Sequence, residues 1–413
     1  MQKIEEKKGI TLIALVITII ILIILAGISI SMIIGEGGLI QKAEQAKTDT
    51  INAQAESDEK LNVLEKEINK VIHGEDMPVQ KTTIEELKNK GVFVEDNTEV
   101  VDNKGNKVVI PNGFKIAEDS GINVVEGIVI EDNDPTTDGN GNRRGNQFVW
   151  IPVSNLNQDG SNKLINADDA EVEVTLGRYT FGADGTENLI QSAENYIDET
   201  SIEPYYKELA IARISNGSLG LNGTNTTAKN LKGFIDSVKV NAGYYIARYE
   251  ASYRDGTKPY SKVSVTATTS STQTDGKLWN NLTQGKAAEA SRAMYANPNF
   301  ETDLINSYAW DTAISYIQKC SGDTDYSVQN SLNASIANTG KNGDEVCKIN
   351  DMASNLREWT TEYCMYTNSA NETYPCTYRG GYYIDAPHYA SDRNGIHANS
   401  VFNILSFRIV LYI

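Results

Sequence analysis

The longest apolar stretch of the chain comes first. From Ile10 to Ile34, ITLIALVITIIILIILAGISISMII, 25 consecutive residues carry no charge. About 20 apolar residues suffice to cross a bilayer as a helix, so this run predicts a membrane-spanning helix. After Gly35-Glu36-Gly37-Gly38 the pattern changes. Leu39, Ala43, Ala46, Ile51, Ala55, Leu61, Leu64, Ile68 and Ile72 fall roughly on a helical stripe among Ala, Glu, Lys and Gln, all strong helix formers. Asp58 to Lys70 sets acids and bases at helical spacing, and Gly74 suits a C-cap. This second segment is expected to be a helical stalk, either a bare spacer or one lying against a neighbour. Residues 75–109 read as a linker holding a small helix, Thr83 to Asn89, and a turn at Asn103-Lys104-Gly105-Asn106.

From about Ile110 the pattern becomes short extended runs broken by Gly, Asn and Asp. They include VVEGIVI (124–130), NQFVWIPV (146–153), EVEVTLGRYTF (171–181), GYYIARYEAS (243–252) and SFRIVLYI (406–413). Two windows, Leu278 to Met294 and Leu304 to Gln318, have apolar positions compatible with helices. The expected class is α+β: a long N-terminal apolar and amphipathic helix, followed by a body large enough to build its own core.

Composition sharpens this division. The 413 residues carry 37 Lys+Arg against 55 Asp+Glu, a formal net charge of -18. That excludes a nucleic-acid surface, which needs clustered cations. From Asp351 onward there are six acids and four arginines, a net charge of 4 − 6 = −2, so the acidity lies mostly before the C-terminal region. A polytopic membrane protein, a collagen and a basic scaffold are excluded as well.

The start of the chain carries a resemblance. Lys7-Lys8-Gly9-Ile10-Thr11-Leu12-Ile13 resembles the leader junction of type IV prepilins and pseudopilins, in which a peptidase cuts after the Gly. The resemblance implies cleavage between Gly9 and Ile10, insertion in the membrane through residues 10–34, and prepilin peptidase and pilin subunits as partners. Family members usually have Phe after the cut and Glu at the fifth mature position. Ile10 and Ala14 stand there instead, which fits a minor, tip or unassembled subunit. A plain membrane anchor and a secretory signal peptide are the competing readings.

Six segments of the body carry a second resemblance. They are Phe148-Val149-Trp150-Ile151-Pro152-Val153, Gly243 to Glu250 (GYYIARYE), Ala309-Trp310-Asp311-Thr312-Ala313, Asp351 to Thr360 (DMASNLREWT), Arg379-Gly380-Gly381-Tyr382, and Ser406-Phe407-Arg408-Ile409-Val410-Leu411. In this order they resemble the sulfatase-modifying-factor family, also called formylglycine-generating-enzyme-like, which implies a C-type-lectin-like domain over 110–413. Trp310 and Trp359 are expected to be buried, and Arg379 to be buried and paired with Asp351 or Glu358.

The chemistry argues against an enzyme. The family's oxidase has a cysteine pair after its Arg-Gly-Gly motif, but the four cysteines here are Cys320, Cys347, Cys364 and Cys376, all upstream of it. An even count in an exported body favours disulfides. Cys364–Cys376 would close a short loop and leave Cys320–Cys347, one of three possible connectivities. His388 and His397, with Asp385 and Asp392, would need to converge to make a metal or acid–base site, and they read as exposed loop residues. His73 ends the stalk. Asp132-Asn133-Asp134 and Asp138 to Asn142 (DGNGN) read as turns rather than Ca²⁺ loops. No catalytic residue, metal or cofactor is expected.

The last 41 residues, Thr373 to Ile413, contain no Lys, Glu, Gln, Trp or Met, although these make up 78 of the 413 residues overall. No codon ending in a pyrimidine encodes any of these five. The window is rich in Tyr, Asn, Asp, His, Ser and Ile, all reached from an Asn codon by changing its adenines. This resembles the variable region of diversity-generating retroelement targets, and it implies a ligand-facing surface within 379–408. Its expected positions are Tyr382, Tyr383, Ile384, Asp385, His388, Tyr389, Asp392, Asn394, His397, Asn399, Ser400, Phe402 and Asn403. Tyr and His offer amphipathic contact area, and Asn, Asp and Ser offer adaptable hydrogen bonds.

The expected organisation is thus a leader (1–9), a membrane-crossing pilin-like helix and stalk (10–74), a linker (75–109) and a lectin-like domain (110–413), displayed at the cell surface or on an extracellular pilus. The expected function is binding of a protein or glycan ligand, as an adhesin or receptor. The alternatives are a structural minor pilin or pseudopilin and, third, a formylglycine-generating-type enzyme.

Overall fold

The computed structural model describes residues 81–154, 164–192, 228–330, 335–363, 376–383, 388–397 and 399–413. Lys81–Ile413 form one compact unit. Its elements in chain order begin with α1 (Ile84–Lys90), β1 (Thr98–Val101), β2 (Lys107–Ile110), β3 (Lys115–Ile116), β4 (Val129–Glu131), β5 (Gln147–Pro152), β6 (Leu164–Ile165), β7 (Glu171–Val172), β8 (Gly177–Phe181) and β9 (Glu187–Ser192). There follow α2 (Leu231–Asn241), β10 (Gly243–Ala247), β11 (Ser252–Tyr253), β12 (Pro259–Tyr260), α3 (Gln284–Ala293), β13 (Glu301–Leu304) and α4 (Ser307–Cys320). The chain closes with β14 (Arg357–Tyr363), β15 (Cys376–Arg379), β16 (Arg393–Ile396), β17 (Leu405–Phe407) and β18 (Ile409–Tyr412).

Two sheets organise the unit. The larger has the order β13-β18-β10-β5-β4-β3, antiparallel throughout. Its central strands β5 and β10 are buried along their whole length. That is why QFVWIP and GYYIA read as continuous apolar runs rather than alternating ones. Gly243 lets β10 pass the indole of Trp150, because a Cβ there would lie 2.3 Å from the ring. The smaller sheet has the order β16-β15-β14-β17, antiparallel except for the parallel β14–β17 pair.

Local chemistry sets the element ends. Thr83 and Glu86 form a reciprocal capping box at the start of α1, and Gly91 closes it in the left-handed conformation. The hairpin between β1 and β2 turns at Gly105, with φ +87°, while the Asp102 carboxylate accepts from the Lys104 and Asn106 amides at 2.9 and 2.8 Å. Asn306 caps α4 by accepting from the Ala309 amide at 2.9 Å. Nearly every side chain of α4 is buried, as expected for a helix packed on several sides.

The sequence-based fold class, an α+β fold in which a long apolar N-terminal helix precedes a lectin-like domain, is corrected here. The described residues hold eighteen strands and only four short α-helices, of 7, 11, 10 and 14 residues. No helix among them is long and apolar enough to cross a membrane. The helical windows are shorter than their apolar spacing suggested because caps interrupt them. Thr283 starts α3, leaving Leu278 to bridge Ser252, and Leu304 belongs to β13. The apolar run, the stalk and the Gly9–Ile10 junction lie outside the described residues.

Candidate functional site

The C-terminal segment is built on the smaller sheet, and strand alternation divides its side chains between two faces. In β14, Glu358 and Glu362 point into the core, while Arg357 shares the opposite face with Trp359.

The inward face carries a buried ionic frame. Arg379 of β15 is fully buried and pairs with Asp311 of α4, and with Glu362 at 3.4 Å. Arg393 of β16 reaches Asp311 at 2.8 Å and Glu362 at 2.6 Å. Arg178 of β8 lies 3.4 Å from Glu362. Burial alone would raise the Asp311 carboxyl, but Arg379 and Arg393 beside it outweigh that and hold it below the usual carboxylate range. The partners expected for Arg379 are corrected. Glu358 lies directly across the ladder from it, but is held by Arg408 at 2.6 and 3.0 Å. Asp351 instead accepts from the Gly340 amide and from Asn342, both at 2.7 Å.

This frame positions the outer loops. The Trp310 indole donates to the Ala390 carbonyl at 3.0 Å, and Arg379 donates to the Asp392 carbonyl at 3.0 Å. Gly381 allows the chain to cross the 350–355 loop, since a Cβ there would sit 2.1 Å from the Ala353 carbonyl oxygen. The Tyr383 amide donates to the Asn355 carbonyl at 3.2 Å.

Eleven of the thirteen expected ligand-facing residues fall in described segments, while Ile384 and Asp385 lie outside them. Tyr382, Tyr383, His388, Tyr389, Asp392, Asn394, His397, Ser400 and Asn403 are half-buried, and Asn399 and Phe402 are exposed. The structure brings four of them together. The Tyr382 ring lies 4.5 Å from that of His388 and 6.1 Å from that of Tyr383, and His388 Nδ1 is 3.2 Å from Asp392. Asn394 sits in β16 opposite Tyr378. Residues 399–403 are held from behind, where the Asn281 amide donates to the Phe402 carbonyl at 3.1 Å and Asn280 donates to the Asn403 carbonyl at 2.9 Å.

The centre of the aromatic cluster is a residue that sequence reading missed. Arg357 donates to the Tyr378 hydroxyl at 3.1 Å, and its guanidinium stands 5.0 Å over the Tyr378 ring and 4.2 Å over the Tyr382 ring. Its Nη2 meets the His388 ring at 2.7 and 3.2 Å. Burial first, then the Arg357 charge, lowers the His388 pKa against the opposing pull of Asp392, which favours the neutral imidazole. Nothing in the local sequence distinguishes Arg357 from any other strand residue. Its role arises from the register of β14 against β15.

A second buried charge group has the opposite balance. Glu250, Asp344, Asp351 and Glu358 are gathered near the single guanidinium of Arg408, all buried. Burial, reinforced by Asp344, raises the Asp351 pKa to about 7, and burial with Asp351 and Glu358 raises Glu250 well above its ordinary range. The two Asp/Asn/Gly segments form turns. Asp138 accepts from the Asn140 and Asn142 amides at 2.9 Å, and Asp134 pairs with Arg254 and Lys262 at 2.7 Å.

The expected disulfides are corrected as well. Cys320, Cys347 and Cys376 are buried free thiols, and Cys364 lies outside the described residues. Cys347 sits in a turn with φ +47° and donates to the Val125 carbonyl at 3.3 Å instead of bonding to Cys320. Burial pushes all three thiols up, Cys347 to about 12.

No family model and no curated protein matches the sequence. Among solved structures, the crystal structure of CarF is similar over 42% of this chain and 87% of that one, at 13% identity and a TM-score of 0.29. Treponema denticola variable protein 1 is similar over 65% of this chain and 96% of that one, at 14% identity and a TM-score of 0.25. Likeness at these levels defines neither the fold nor the function of this chain.

Proposed function

We propose that the chain is a ligand-binding protein whose recognition surface is the face carrying Tyr382, Tyr383, His388, Asp392 and residues 399–403. One observation carries this reading. Aromatic and small polar side chains stand half-buried or exposed on a backbone that is fastened from behind to a fully buried ionic frame. Binding favours this arrangement, because a rigid base lowers the ordering cost while the side chains supply contact area. The buried thiols, all with raised pKa values, favour binding over thiol chemistry.

The finer reading is that this face is diversified. It rests on the absence of Lys, Glu, Gln, Trp and Met from Thr373 to Ile413. A near-repeat of the coding sequence close to the gene, differing only at adenines, would support it, and a locus without one would remove it. Display at the membrane through residues 10–34 belongs to the same proposal. N-terminal sequencing of the mature protein tests it, since Ile10 as first residue supports prepilin-type processing and retained Met1 supports a plain anchor.

The binding reading is tested by screening the full chain on peptide and glycan arrays beside a variant carrying Tyr383→Ser, His388→Ser and Phe402→Ser. The variant should lose array binding while keeping its unfolding midpoint. Equal binding by both would move the ligand site elsewhere.

A further inference from the structure

Arg357 differs from the other buried or nearly buried arginines of the described residues. Arg178, Arg248, Arg379, Arg393 and Arg408 each have a carboxylate within 4 Å. Arg357 is only 8% exposed, yet no carboxylate of the described residues lies within that distance. Its partners are a phenol and an imidazole whose protonation is disfavoured. Asp392 meets it only through His388. The buried Nε–H has no hydrogen-bond partner. A buried cation without a counter-charge is costly, and the two tyrosine faces offset only part of that cost. The guanidinium fork is also the side chain best shaped to take a carboxylate through charge-assisted hydrogen bonds.

We infer that Arg357 anchors a subsite for a carboxylate, presented by an acidic peptide segment of a partner protein. The inference rests on the binding reading above and names the chemistry of its centre. A peptide is favoured by exposed apolar side chains on the segment that leads to the neighbour of β14. Val401 and Phe402 are 50% and 44% exposed, on the turn that leads into β17, where Leu405 pairs with Arg357. An acidic residue flanked by apolar ones matches a cation framed by tyrosines and an exposed Val-Phe pair. The net charge of −2 from Asp351 onward leaves this end of an acidic protein open to such a segment.

The test uses a random dodecapeptide library displayed on phage and selected against the full chain. Selected peptides should share an Asp or Glu at one position. Replacing it with Asn or Gln should weaken binding at least about tenfold to the native chain and leave binding to Arg357→Gln unchanged. The amide replacement is made on the peptide, so the loss read on the native chain does not depend on any variant folding. Peptides that bind the face but tolerate the amide overturn the carboxylate subsite and leave the binding reading standing. A selection whose binders ignore Tyr383→Ser, His388→Ser and Phe402→Ser overturns the binding reading and the subsite with it. Binding to polygalacturonate with none to acidic peptides overturns the peptide assignment. The Nε–H resonance of Arg357 supplies a check on the native chain. If Asp385→Asn shifts it as a lost ion pair would, Asp385 is the partner and the subsite is overturned.

Discussion

The two faces of the β14–β15 pair handle charge in opposite ways. On the inner face Arg178, Arg379 and Arg393 share Asp311 and Glu362, so every guanidinium has a fixed carboxylate. On the outer face Arg357 has aromatic rings, a phenol hydroxyl and an imidazole but no carboxylate of the described residues. Strand alternation separates the two environments by one residue, Arg357 from Glu358. On the binding reading proposed above, the difference separates framework from recognition, because a closed ion pair holds loops in place and a cation with no carboxylate partner among the described residues can meet one from outside the chain.

The largest effect should come from breaking the closed face. Arg379→Met strands Asp311 and Glu362 with fewer guanidiniums and removes the tether to the Asp392 carbonyl. Urea unfolding should record a loss of about 3–5 kcal/mol. A loss below about 1 kcal/mol would mean that the frame is not what holds the loops.

Next comes pH. The folded pKa of Asp351, about 7, lies above its ordinary value of 3.8, so the folded chain holds this proton more tightly than the unfolded one. The stability it contributes is complete below about pH 4 and is lost as pH rises toward 7. Unfolding curves between pH 4 and pH 8 should show a decline of roughly 2–4 kcal/mol from this group, and Asp351→Asn should flatten it. A native chain as stable at pH 8 as at pH 5 would contradict the crowding of acids around Arg408.

A smaller loss is expected for Gly381→Ala, whose Cβ would meet the Ala353 carbonyl at 2.1 Å. The clash should cost about 1–3 kcal/mol, read from the thermal midpoint. The smallest effects belong to the open face. Tyr383→Ser and Phe402→Ser should each change stability by no more than about 0.5 kcal/mol while abolishing ligand capture. A large destabilisation would recast those side chains as structural.

Parts of both faces were legible in the chain. QFVWIP and GYYIA announce buried strands because they are apolar without interruption. Trp310 and Trp359 announce themselves by size, and both are fully buried. Gly380 and Gly381 mark a close backbone approach. The partners were not legible. Glu358 faces Arg379 in the ladder yet belongs to Arg408, and the true partners, Asp311 and Glu362, come from a helix and from four residues further along β14. The disulfide expectation failed for a related reason, since an even count of cysteines says nothing about where the thiols point.

By itself the sequence determined that QFVWIP and GYYIA are buried strands, that Trp310 and Trp359 are buried, and that the last forty residues are compositionally apart. These depend on local backbone preference and on apolar pattern, both of which are written along the chain. Only the tertiary structure decided which carboxylate each paired arginine meets, that Cys320 and Cys347 remain free thiols, and that Arg357 sits between two tyrosine rings. Those outcomes turn on strand register and on segments distant in sequence, and a shift of one residue would exchange the two faces.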